Sequence, residues 1–185
     1  MGSIYVRAKV KTGRASARTV QFEVDGGSAT SVIGLNTACR LSPDLVSKAK
    51  EVRRETVGGA TLVGLQLPPT SIATGRYKAT LNDIFIPIVE EVVLQRKNRR
   101  TGRVITKTIR REVDRDEPPL LGQDFLQATG AVANHAEHKL DGVRDGLYDP
   151  PASLSRKFRQ RPATQQDSAL IRSLASCAVT RRSRR

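Results

Sequence analysis

An aspartate at the end of an apolar strand, followed at once by two glycines, is the feature of the chain best suited to chemistry. Residues 19–24 alternate, with Val20, Phe22 and Val24 on one face, and run directly into Asp25-Gly26-Gly27-Ser28. A carboxylate in that position can act as a general base on a bound water. It can equally serve the turn itself, because Asp-Gly is a common turn pair in which the side chain bonds nearby backbone amides. A second apolar segment ending in glycine, Leu120-Leu121-Gly122, opens a predicted helix over residues 123–129 that Gly130 stops. Between the two lies Gly58-Gly59, at the tip of a hairpin predicted over residues 53–67. His135 and His138 would share one face of a helix, yet no third ligand is placed with them, so they read as solvated surface histidines. Cys39 and Cys177 lie far apart, and a disulfide between them is not expected.

The elements that must position these residues are short and mostly strands. Residues 4–10 alternate around Tyr5 and Arg7 and turn at Gly13, residues 30–35 form a second apolar strand, and Ser42-Pro43-Asp44 caps a helix running to about Lys50. Residues 77–94 hold two strands with a turn near Asn82-Asp83, and Pro87 argues for an edge position or a bulge. A basic stretch over residues 95–117 follows, with a Thr101-Gly102 turn that makes it either an exposed hairpin or a mobile loop. From about Pro151 the composition shifts to Ser, Arg and Gln with few large apolar residues, which predicts disorder, save for a transient helix over 168–179.

The chain has 185 residues, enough to bury a real core, and with no tryptophan and 4% aromatics that core must be aliphatic. No run approaches the roughly 18 apolar residues of a membrane span, and the first residues lack the apolar stretch of a signal peptide, which predicts a soluble intracellular protein. The net charge of +14 is unevenly placed. Residues 96–111 hold eight basic side chains and no acid, residues 154–185 hold nine against Asp167 alone, and the remainder of the chain nets −2. The basicity therefore belongs to one insertion and one tail. Those segments are either solvated linkers or weak, nonspecific, salt-sensitive contacts to nucleic-acid phosphates, and the lack of interleaved aromatics argues against base stacking.

Taken in order, these motifs resemble the retropepsin-like aspartic proteases of retroviruses and LTR retrotransposons. Val24-Asp25-Gly26-Gly27-Ser28-Ala29-Thr30-Ser31-Val32-Ile33 resembles the family's active-site segment: an apolar residue, Asp, Thr or Ser, Gly, Ala or Ser, two variable residues, Ser or Thr, and two aliphatics. Leu120-Leu121-Gly122-Gln123-Asp124-Phe125-Leu126 resembles its second signature, in a form nearer to the retrotransposon members. Gly58-Gly59 falls where the family carries the tip of a flap that closes over substrate, an ordinary hairpin turn being the alternative. The resemblance covers about residues 4–140, apart from the basic insertion.

The resemblance implies a mainly β, retropepsin-like acid-protease barrel with a flap hairpin and one short C-terminal helix, assembled as a homodimer. Residues 1–145 would form the protease domain, including the insertion 95–117, and residues 146–185 a basic, disordered tail. It implies an endopeptidase of polyproteins, without cofactor or metal, cytoplasmic or inside a virus-like particle. Asp25 would be catalytic, Gly26, Gly27 and Ser28 the active-site loop, Gly58 and Gly59 the substrate-binding flap, and Leu120, Leu121 and Gly122 the second motif. Two facing carboxylates sharing one proton do the hydrolysis in such enzymes, since like charges that close cannot both ionise. One aspartate per chain then requires a second copy. Gly26 departs from the family's Thr or Ser, whose hydroxyl bonds across the dimer, and Ala29 with Gln123 replaces an Asp–Arg pair found in many retroviral members. The alternative is a catalytically inactive module of the same fold, kept for dimerisation or peptide binding, with basic arms on nucleic acid.

Overall fold

The computed structural model describes residues 3–13, 16–56, 58–97, 102, 104–142 and 161–175. With 48% of the described residues in strands, the protein is mainly β, a curled half-barrel sheet with short helices against it. Strand β1 (Ile4–Thr12) pairs antiparallel with β2 (Arg18–Val24), so that Ile4, Ala8, Val10, Phe22 and Val24 fall on one buried face. This is the period-two pattern visible in the sequence. Helices α1 (Leu35–Leu41) and α2 (Pro43–Ser47) follow, then β3 (Lys50–Glu55), β4 (Thr61–Gln66), β5 (Thr70–Thr74), β6 (Tyr77–Leu81), β7 (Phe85–Lys97) and β8 (Val104–Glu112). Strand β9 (Leu120–Leu121) leads into α3 (Gln123–Thr129), and β10 (Ala131–Asn134) and β11 (Lys139–Gly142) make a hairpin. The last elements are β12 (Arg161–Pro162) and α4 (Gln165–Leu174).

Two five-stranded arrays result, ordered β6-β5-β1-β2-β9 and β12-β3-β4-β7-β8. The chain at residues 31–33 stitches them together. Val32 exchanges both backbone bonds with Leu120 at 2.9 Å, while Phe85 N–H donates to Ser31 O and Ile33 N–H to Phe85 O, each at 3.0 Å. Residues 30–35, expected as a strand, are therefore extended and fully engaged, yet they form only bridges before Leu35 starts a helix. Strand β5 and helix α1 lack the long alternating or helical runs that announce an element. The predicted helix through Lys50 stops at Ser47, because β3 begins at Lys50.

Pro87 occupies a central strand, between β4 and β8, where its missing N–H is accommodated by a register shift at Val63/Gly64. Of the two expectations for Pro87, the strand is bulged and is not at an edge. The basic stretch is neither loop nor linker over most of its length: β7 and β8 pair from Val89/Glu112 out to Lys97/Val104 as a two-stranded ribbon. His135 and His138 sit in the turn between β10 and β11, not on a helix, and His138 has φ +50°. Among the described residues no cluster of three His, Cys, Asp or Glu could hold a metal ion, and no helix is long and apolar enough to cross a membrane.

Two expectations about the ends need correction. Residues 161–175, expected in a disordered tail, are folded onto the body. Strand β12 pairs with β3, Thr164 caps α4 by a capping box with Asp167, and Ile171 enters the main core at 2% exposure. Few large apolar residues are needed, because Ile171, with Leu170 and Leu174 packed beside it, and one buried ion pair dock the helix. Cys39 is disulfide-bonded, against the expectation of unpaired thiols. The chain's other cysteine, Cys177, lies outside the described residues, as do 143–160 and 176–185.

Candidate active site

Asp25 stands where β2 ends, half-buried, with Gly26 and Gly27 exposed beside it. Strand β2 lies parallel to β9, Val24 opposite Leu121, and Asp25 N–H donates to Leu121 O at 3.0 Å. The carboxylate is oriented by its own turn, since Gly27 N–H donates to Asp25 Oδ1 at 2.8 Å and Ser28 N–H to Asp25 O at 3.2 Å. A side chain at position 27 would place its Cβ 3.2 Å from Asp25 Oδ1. The turn thus serves both readings of Asp25: it satisfies the backbone, and it presents a surface carboxylate in fixed orientation.

The two sequence motifs, far apart along the chain, meet directly. Gln123 N–H donates to Ser28 O at 2.8 Å, and the Gln123 side-chain amide donates to Gly26 O at 2.7 Å. Gln123 thereby braces the Asp25 turn from within the same chain. Gly122 is packed against the backbone of residues 28–30: a Cβ there would lie 2.6 Å from both the carbonyl carbon and the oxygen of Thr30. Only glycine lets the strand–helix junction approach so closely.

Beneath the turn lies Ser31, bonded to a partner, Asp124, that the sequence did not reveal. Ser31 is fully buried; its N–H and hydroxyl donate to Asp124 Oδ2 and Oδ1 at 2.9 and 2.7 Å, and its oxygen accepts from Gly122 N–H at 3.1 Å. Burial raises the Asp124 carboxyl above its ordinary 3.8, against the opposing pull of the hydrogen bonds from Ser31 and Phe125 N–H. Folding therefore favours the protonated form, so this contribution to stability is whole below pH 3.8 and is lost as the pH rises through the raised value. The melting temperature of the wild type relative to Asp124→Asn should fall as the pH is raised from about 3.5 to about 7. A difference that does not change with pH would contradict this. Asp167, whose burial is outweighed by the hydrogen bonds of Arg53 and Thr164 so that its carboxyl is held low, titrates in both proteins and cancels.

Opposite the turn, the hairpin β3–β4 reaches over with Gly58-Gly59 at its tip. Between turn and hairpin lies a groove of about 200 Å³ lined by Gly27 to Thr30, Val32, Arg54 to Thr56, Leu62 and Phe85. Its lining is mostly apolar, with two charged residues, Arg54 and Glu55. Arg54 is buried, lies 4.5 Å from the Phe85 ring centroid, donates to Thr30 Oγ1 at 2.7 Å and pairs with Asp83. Desolvation lowers the Arg54 pKa, partly offset by Asp83. Arg54 was not legible as a site residue, because arginine in a polar hairpin is ordinary until its neighbours are known.

The structure brings two of the three predicted groups together: Asp25, Gly26, Gly27 and Ser28 form the turn, and Leu120, Leu121 and Gly122 support it. Gly58 and Gly59 stand at the tip of the β3–β4 hairpin and are not among the residues lining the groove. Comparison with protein-family models, with curated proteins and with solved structures finds no match.

Proposed function

We propose that the chain is an aspartic endopeptidase of retropepsin type, in which Asp25 of one copy and Asp25 of a second share a proton and activate water. The observation that carries this reading is the direct joining of the Asp25 turn to the Gly122 junction, with Gly27 and Ser28 of that turn lining an apolar groove shared with the β3–β4 hairpin. An extended polypeptide suits such a groove, since backbone amides at its rim can pair with it and alternate side chains enter the apolar floor. In the dimer, one carboxylate acts as general base on the water while the other, protonated, polarises the scissile carbonyl. The likeness in motif order extends the proposal to polyprotein substrates and to a cytoplasmic or particle-enclosed setting, although the Cys39 disulfide is uncommon in a reducing compartment.

Gly26 supports a second reading, an inactive module of the same architecture that dimerises or binds peptide. The two readings part at one substitution. Gly26 does not have a positive φ, and a Cβ there would meet only the flexible Gln123 Nε2, at 3.4 Å. A Cβ therefore fits at this position against a side chain that can move. Gly26→Thr should supply hydrogen bonds across the dimer worth about 1–3 kcal/mol, tightening its dissociation constant roughly tenfold or more in sedimentation. The accompanying test is cleavage of a mixed peptide library at mildly acid pH, with and without pepstatin. Pepstatin-sensitive cleavage by the wild type supports the protease; dimers that never cleave, even as the Gly26→Thr variant, support the binding module.

We propose for the β7–β8 ribbon, which carries Lys107 and Arg111 on its exposed strand β8, weak, nonspecific and salt-sensitive contacts to nucleic-acid phosphates.

A further inference from the structure

Adjacent residues on β3 face opposite ways, and each is pinned. Arg54 points into the groove toward Thr30 and Asp83, whereas Arg53 points outward to the C-terminal helix. Arg53 Nη1 donates to Asp167 Oδ2 at 2.7 Å, and its other nitrogen pairs with Glu91 on β7. Arg110 on β8 completes the group, 2.6 Å from Glu91 Oε1. Next along α4, Ser168 Oγ donates to Glu51, and β12 lies along the outer edge of β3 with Pro162 opposite Val52 and residue 161 opposite Arg53. Three consecutive positions on the outward strand of the hairpin are thus held by residues 161–175, while α4 packs on β4 and β7 and buries Ile171.

We infer that residues 161–175 are a latch that limits how far the β3–β4 hairpin can open, and so regulate access to the groove. This rests on the protease reading only for its consequence; the latch itself is a mechanical claim about the hairpin. A hairpin used as a flap must swing at its base to admit a polypeptide. Here the base is built into a five-stranded array, with β12 added along the edge of β3 and a helix on its back. The latch is also built to release. Asp167 Oδ1 is buried without a hydrogen bond, with Arg110 3.7 Å away, so the polar part of the helix's hold on β3 centres on one carboxylate. Whatever lifts α4 frees β3 along its outer edge.

The experiment is hydrogen exchange on the full chain, wild type beside Asp167→Asn and, because Asp167 also caps α4, Ser168→Ala as a milder release that leaves the cap intact. Exchange of β3 and β4 amides should rise about tenfold or more in Asp167→Asn and less in Ser168→Ala, with β1 and β2 unchanged. Faster exchange in α4 alone would overturn the latch, as would an equal rise throughout the body, which marks general destabilisation. In parallel, kcat/KM for a folded polypeptide, relative to a short peptide, should rise severalfold on release. An unchanged ratio alongside a loosened hairpin would overturn its role in access. If no variant cleaves anything, the protease reading fails and the exchange result still decides the latch.

Discussion

Asp25→Asn should lower peptide cleavage by about 10²–10⁴-fold, the usual contribution of a positioned general base, while leaving the fold almost untouched. The local reason is that the Asp25 side chain makes one described bond, accepting from Gly27 N–H, and an asparagine carbonyl oxygen can accept the same proton. Volume is conserved, the position is half-buried, and the expected stability change is within about 0.5 kcal/mol. Kinetics and thermal melting measured on the same preparation separate the two effects. A large loss of melting temperature would return Asp25 to the role of a turn residue.

Gly122→Ala should have the opposite signature, a structural loss that carries function with it. The added methyl would meet Thr30 and Ser28 backbone atoms at 2.6–2.8 Å, and backbone cannot swing aside as a side chain can. Overpacking of this kind costs about 3 kcal/mol, or roughly 6–12 °C in melting temperature for a domain of this size. The strain falls on the junction that holds Ser28, Ser31 and Gln123, so the Asp25 turn should loosen before the rest of the sheet. Melting temperature, with exchange at residues 25–31, provides the check. A variant as stable as wild type would mean that the close approach is not required.

Much of the site was legible because its parts are local. A strand ending in Asp-Gly-Gly, and an aliphatic pair running through glycine into a helix that Gly130 ends at φ +66°, are patterns set by neighbouring residues, and both form where expected. What the sequence concealed depends on partners far along the chain. Ser31 and Asp124 look like a small polar residue and a helix-start acid until burial joins them across 93 positions. Arg53 and Asp167, 114 apart, look like members of two unrelated charged segments. The tail misleads for the same reason: composition reports average hydrophobicity, whereas docking of α4 rests on where Ile171, Leu170 and Leu174 fall on one helix and on one buried carboxylate. Pairing order is hidden too, since β6 and β7, adjacent in sequence, join different neighbours.

The claim that two copies of Asp25 form one catalytic pair is tested most directly by mixing subunits. Wild type and Asp25→Asn are dissociated, combined in varying proportion at constant total protein and reassociated, and the cleavage rate is followed against the wild-type fraction. If both carboxylates are required and the subunits pair at random, the rate follows the square of that fraction, so an equal mixture retains about one quarter of full activity. A rate linear in the wild-type fraction, with about half remaining at equal mixture, would show that each chain acts alone and would contradict the paired site.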